Sequence, residues 1–459
     1  MKKTQKTLLA AALASSVVVV SACGGGGGGD AGSGSSSAAP AFTTNATGAL
    51  SAWGFENADE VGTSRLDYAK AKLSGVTIKI DATAFDAQKF TTRAASGNVP
   101  DVVQMDRRYV ATYAAQGLIK PLDSCFSAYK IDPKTQYYPS VVDDVTYQGH
   151  VWAVPQFYQP PAIMLNKRVM DKAGVTDADI DTSKPDALLA AVQKMYKANG
   201  NNPSTLGLDP VSTGAAELWI MGMGGTLIDA DGAPTLDNPA NTKGLAFLKQ
   251  LNDAQGGFAK VKSFTDSFDT FGNNNQFVKD QVGAQVDAQW YVNVLTPYVK
   301  KVDIEAVPFK GTDGQPFTVA GGTSFVIPDK AKNPDAACAW ATALTSQDAW
   351  MAAGAARAKT IAKTPGAINT GLFTGSPAAD QAIRTQYVKA SSNAGFDQSI
   401  STYYDVVKAG KSYGASPAGQ QIQTELQNAV TSTMLGTKAP DAALKDAQTA
   451  SMRAYNQTR

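Results

Sequence analysis

The sequence predicts an α/β fold built as two domains. Two observations predict it: strand-like and helix-like stretches alternate along the body, and 459 residues are more than one core ordinarily needs. Leu50–Phe55 is a short apolar run that reads as a strand. Asp59–Leu73 places Val61, Leu66, Tyr68, Ala69 and Leu73 at helical spacing, and Val76–Ile80 alternates as a strand does. A helix through Phe90 stops at Gly97-Asn98, and Asp101–Met105 is apolar enough for a buried strand. Tyr109–Gln116 is helical and ends at Gly117, a residue that favours the left-handed conformation of a helix terminus. Further on, helices are expected around Ala187–Ala198 and Ala215–Met221, strands around Ala284–Asp287 and Phe325–Ile327, and a mostly helical tail from Ala378. Strands separated by helices predict parallel β-α-β units.

The N-terminus reads differently. Lys2, Lys3 and Lys6 precede the apolar run Leu8–Val20, which is shorter than the roughly 20 residues that span a bilayer. With its small-residue exit, this is the pattern of a secretory signal peptide. Val20-Ser21-Ala22-Cys23 resembles the bacterial lipobox, in which the Cys is acylated and becomes the first residue. The plainer alternative is cleavage after Ala22 leaving a free thiol. Acyl chains on Cys23 would hold the protein at a membrane without a spanning helix. Gly24–Gly29 and the Asp/Ser/Gly/Ala tract up to Pro40 follow no strand and open no helix, so they read as a tether and not as a phosphate loop.

Composition excludes several functions. Lys plus Arg number 41 against 40 Asp plus Glu, a balance with no attraction for a phosphate backbone, so no nucleic-acid role is expected and a neutral ligand fits. His150 is the single histidine, which removes His-based triads and multi-histidine metal sites; no metal and no cofactor are expected. Asp229-Ala230-Asp231-Gly232 lacks the later ligands of a calcium loop and reads as a hairpin turn. Ser127-Ala128-Tyr129-Lys130 lacks the partner motif of penicillin-recognising enzymes. Beyond Cys23 only Cys125 and Cys338 remain, either bridged or as two buried thiols.

Four segments carry a family likeness. They are Ala94-Ala95-Ser96-Gly97-Asn98-Val99-Pro100-Asp101-Val102-Val103; Gly117–Asp123; Tyr147–Pro155 with Leu165-Asn166-Lys167; and Ala320–Pro328 with the helix that ends at Leu344-Thr345-Ser346. In that order, behind a lipobox, they resemble the family 1 extracellular solute-binding proteins, the group that includes the maltose-binding protein. Each segment also has a local reading: Pro100 cannot extend the helix that ends at Gly97-Asn98, and Gly149 sits near the turn of a hairpin.

The resemblance implies two α/β lobes joined by crossing segments, with a hinge and an interlobe cleft that closes on the solute. It implies a signal peptide over 1–22, a lipidated Cys and linker over 23–45, a first lobe from 46–157 plus 315–360, and a second from 158–314 plus 361–459. It places Cys125 and Cys338 in one lobe, where a bridge is feasible. It also implies a monomer on the outer face of the cell membrane that delivers a carbohydrate to the transmembrane subunits of an ABC importer, without catalysis.

Sugar recognition needs flat apolar faces against the rings and planar polar groups around the hydroxyls. Gln281–Tyr291 resembles the family segment whose Trp stacks on sugar, which makes Trp290 the leading candidate and Tyr291 its companion. Gln159 aligns with an acidic ligand contact of the maltose-binding protein, and Tyr158 stands beside it. Asp106 and Arg107 follow one strand, and Glu56 and Asn57 follow another, at the end where α/β sheets place ligands. Gly322 offers close backbone approach, and Trp219 is the remaining aromatic candidate. Two other functions stay open at this level: a lipid-anchored carbohydrate-active enzyme, and a binder of a non-sugar solute.

Overall fold

The structure is a computed structural model that describes residues 41–55, 58–210 and 216–458. The signal peptide, Cys23 and the Gly/Ser tract lie outside the described residues, as do Glu56 and Asn57. Among the described residues twelve strands run in chain order as β1 (Gly48–Trp53), β2 (Val76–Asp81), β3 (Val102–Asp106), β4 (Thr146–Tyr147), β5 (His150–Val151), β6 (Val154–Gln159), β7 (Pro161–Asn166), β8 (Lys197–Asn199), β9 (Asn202–Asp209), β10 (Val282–Ala288), β11 (Ile304–Val307) and β12 (Gly321–Val326). They form two five-stranded sheets, ordered β2-β1-β3-β12-β6 and β11-β7-β10-β9-β8, plus the β4-β5 hairpin.

The expected elements appear, but the pairing is mixed where parallel units were expected. In the first sheet β1 runs parallel to β2 and β3, whereas β12 is antiparallel to β3 and β6. In the second, β9 and β10 are parallel, while β7 is antiparallel to β10 and β11. The reason lies in chain path. β6 and β7 are separated by Pro160 alone, so one continuous extended stretch leaves the first sheet and enters the second. β12 returns from the second sheet and must run against its neighbours.

Local chemistry explains the helix boundaries. The Asp59 carboxylate caps the helix Glu60–Lys72 by accepting from Gly62 N at 2.8 Å. The helix Ala87–Ser96 ends on Gly97 at φ 71°, a conformation that favours glycine. Asp101, at the entry to β3, accepts from Ser51 N and Oγ through one oxygen and from Lys332 N and Asn333 N through the other. One buried carboxylate thus joins β1, β3 and the start of the helix Pro334–Leu344. That helix carries Cys338, which is disulfide-bonded to Cys125 of the helix Asp123–Ala128 across a Cα–Cα distance of 5.9 Å. Closing a 213-residue separation adds stability, on the order of 2–4 kcal/mol. On the second sheet, β10 is buried at all seven positions, as a strand covered on both faces must be.

A third crossing segment follows the helix Gln347–Ile361 and leads into the helix Pro377–Tyr387. It is pinned by Asp380, whose carboxylate accepts from Thr374 N and Oγ1 at 2.7 Å each and from Tyr138 Oη at 3.0 Å. Burial raises this carboxyl from 3.8 to about 7. Across that window the folded chain keeps a proton that the unfolded chain has released. Its contribution to stability is therefore full below about pH 4 and is lost as pH rises through 7. Asp380→Asn cannot ionise. Urea unfolding between pH 4.5 and 7.5 is expected to show a stability decline in the wild type, on the order of 1 kcal/mol per pH unit, that the variant lacks. Parallel pH profiles would refute the assignment.

Candidate ligand-binding cleft

The polar side chains at the sheet ends converge around Trp290. β10 stops at Ala288, Gln289 holds the position before the next helix without a side-chain cap, and Trp290 is that helix's first residue, so the indole stands at the C-terminal edge of the second sheet. One cavity of about 440 Å³ lies between the lobes. The first sheet supplies Gln104, Gln159 and Thr323 to its wall; the start of the helix that follows β10 supplies Gln289, Trp290 and Asn293. The crossing segment Thr370–Phe373 closes one side. A second cavity of about 550 Å³ lies in the second lobe, and Trp290 lines it too. Its polar floor includes Asp209, Gln285 and Asp287, and apolar side chains such as Phe258, Val261 and Val430 form its walls. Both volumes suit a small-molecule site.

The electrostatics favour an uncharged guest. In the interlobe cavity the charged wall residues Asp59 and Arg357 face each other at 3.4 Å. The rest of the wall is uncharged: an indole, hydroxyls and amides, beside the apolar Val61, Phe157, Leu372 and Phe373. The Gln289 Oε1 and Asn293 Oδ1 atoms are buried without a hydrogen-bond partner in the protein. A buried acceptor left unpaired costs about 1–3 kcal/mol, which a hydroxyl donor from a ligand would recover. Beneath the wall, Gln156 accepts from Arg65 Nη1 at 2.9 Å and donates to Thr323 Oγ1 at 3.2 Å, which holds that hydroxyl in place. Deeper in the second lobe, Gln276 donates to Gln285 at 2.8 Å, and Gln285 donates to Asp287 at 2.7 Å, a chain that orients the floor.

The structure sorts the expected residues into two groups. Trp290, Gln159 and Gly322 line the interlobe cavity. Gly322 is there by necessity: a Cβ would lie 2.1 Å from Arg107 Nη1 and 2.3 Å from Phe157 O. Tyr158 points away from the cleft, fully buried, with its hydroxyl 2.8 Å from Ser140 Oγ and its ring stacked on Tyr138. Strand alternation is the cause, since its neighbours Phe157 and Gln159 take the cleft side. Tyr291 is likewise turned inward by the helical rotation after Trp290, and its hydroxyl donates to Thr270 O at 3.1 Å.

Arg107 is buried and spends its guanidinium within the protein: it donates to Asp144 Oδ2 at 3.1 Å, Phe157 O at 2.7 Å and Ala320 O at 3.0 Å. Asp106 is spent on Arg108, which it meets through two oxygens at 2.9 and 2.7 Å. Trp219 sits in the second lobe's core, its Nε1 donating to Pro210 O at 2.9 Å. Glu56 and Asn57 fall outside the described residues. Gln289, Asn293 and Thr323 were not anticipated, although Asn293 lies one helical turn beyond Trp290, and that spacing is a usable signal. Among the described residues no group of three or more His, Cys, Asp or Glu is placed to hold a metal, and no helix is long and apolar enough to cross a membrane.

Residues 60–349 match the family described as bacterial extracellular solute-binding protein, and this chain belongs to that family. A Brucella abortus chain named as a candidate binding protein is 25% identical over 391 residues, covering 82% of this chain and 85% of its own length. The mannobiose-bound structure of CpMnBP1 superposes with a TM-score of 0.70 at 19% identity, covering 88% of this chain and 100% of that one. An ABC transporter solute-binding protein of Thermotoga lettingae, bound with α-D-tagatose, gives a TM-score of 0.67 at 19% identity, covering 89% of this chain and 100% of that one. These structures share the two-domain α/β fold.

Proposed function

We propose that this chain captures a neutral saccharide in the cleft between its lobes and passes it, chemically unchanged, to the membrane subunits of an ABC importer. One observation carries the reading: the half-buried indole of Trp290 lines one cavity with Gln289 and Asn293, whose buried amide oxygens lack donors, and the charged residues of that wall pair with each other. A flat apolar face ringed by acceptors complements a sugar ring and its hydroxyls. The sugars bound by the similarly folded CpMnBP1 and Thermotoga proteins support it. A ligand that touches both lobes favours their closed arrangement by its differential affinity, which gives the permease a signal of occupancy. Acylation of Cys23 would hold the chain at the membrane as a monomer, with residues 24–40 as the tether.

Thermal melting of the chain lacking residues 1–23, against a panel of neutral sugars, polyamines and phosphate esters, tests the reading. A saccharide is expected to raise the melting temperature by several degrees through mass action. A response to polyamines or phosphate esters alone would replace it. In cells, Cys23→Ala is expected to move the full chain from the membrane to the soluble fraction; a variant that stays with the membrane would exclude the lipid anchor.

A further inference from the structure

Phe271 is 71% exposed, and only one other large apolar side chain among the described residues, Leu435, is comparably open to solvent. Its position gives that exposure a use. Phe271 lies in the loop between the helix Phe258–Thr265 and β10, and its ring stacks on Trp290 with centroids 5.9 Å apart and planes 23° from parallel. The loop is held on both sides of it. Thr270 O accepts from the buried Tyr291 hydroxyl at 3.1 Å, Gly272 N donates to Asp269 O at 2.9 Å, and Asn274 N donates to the Asp269 carboxylate at 3.1 Å. At Gly272 the absent side chain leaves room for that carboxylate, which would lie 2.1 Å from a Cβ. The loop is thus built to present one aromatic ring outward, beside the indole that lines both cavities.

We propose that Phe271 is a second stacking platform at the rim of the cleft, and that the ligand is an oligosaccharide with one ring against Trp290 and a further ring on the open face of Phe271. This rests on the saccharide reading above and narrows it. A single sugar ring meets Trp290 alone; a longer chain also covers an apolar face that is otherwise left in water. Phe271 then sets chain-length preference and leaves recognition of the inner ring untouched.

The test is calorimetric titration of wild type, Phe271→Ala and Phe271→Tyr with the series mannose, mannobiose and mannotriose, and glucose, maltose and maltotriose, together with the one-, two- and three-ring members of whichever sugar series the melting panel selects. In the series that binds, wild type is expected to prefer two or three rings to one by at least tenfold. Phe271→Ala should lose most of that preference, bind the single ring within twofold of wild type and melt at an unchanged temperature, while Phe271→Tyr should keep the preference. Equal loss on one ring and on several would make Phe271 a mere prop for Trp290 and overturn the proposal, as would no loss at all. Wild type that binds a single ring as tightly as a chain also overturns it, yet leaves the saccharide reading standing. Absence of binding by every saccharide removes that reading and this one together.

Discussion

Trp290→Ala is expected to weaken saccharide binding at least tenfold and to leave the melting temperature of the unliganded chain within a few degrees of wild type. The indole forms part of the wall of both cavities, so its truncation removes the flat face from each. Covering an aromatic side chain with a ligand is worth about 1.5–3 kcal/mol, and 1.4 kcal/mol is already a factor of ten in affinity. Stability should change little, because Trp290 is only partly buried and its neighbour Phe271 is mostly open to water. Trp290→Phe keeps a smaller apolar face and should fall between. Titration of the three proteins with one ligand settles the matter. Unchanged affinity in the alanine variant would take Trp290 out of the site.

Arg107→Ala should show the opposite profile, with a loss of about 3–5 kcal/mol in unfolding free energy. Its guanidinium joins four parts of the first lobe: the turn after β3, Asp144 on the helix Pro139–Val145, Phe157 on β6 and Ala320 before β12. Removing it strands a buried carboxylate, already pushed upward in pKa by burial, and leaves two carbonyls without donors. Arg107→Lys should recover only part of the loss, since one ammonium cannot reproduce the fork that reaches all three acceptors. Denaturant unfolding measures the effect. A variant that unfolds like wild type but binds sugar weakly would return Arg107 to the role of ligand contact.

These two residues mark how far the site is legible in the sequence. Trp290 was the leading candidate because Gln281–Tyr291 resembles a family segment, and the structure places it on the wall of the interlobe cavity. Arg107 occupied an equally suggestive position after β3, but which way its side chain turns depends on Phe157 of β6 and Ala320 before β12, 50 and 213 residues away in the chain. Tyr158 and Tyr291 are turned inward for a simpler reason: each adjoins a cleft residue, and neighbours on a strand or helix point to different sides. Phe271 gave no cue, because nothing local distinguishes it from Phe264, Phe268 and Phe277 in the same stretch.

The fold was more legible. The Gly97–Asp101 turn and the hairpin, which spans Thr146–Val151 and so ends short of the expected Pro155, rest on local chemistry, left-handed glycine backbone at Gly97 and Gly149 and a proline at position 100. Strand direction was not local. It followed from the single-residue step between β6 and β7, which carries the chain from one sheet to the other.

The most direct measurement is calorimetric titration of the chain lacking residues 1–23 with the saccharide that raises its melting temperature most, followed by recovery of that saccharide from the complex. The account predicts one molecule bound per chain and a ligand recovered intact. Recovery of a cleaved or otherwise altered sugar, or saturation without any defined stoichiometry, would contradict it.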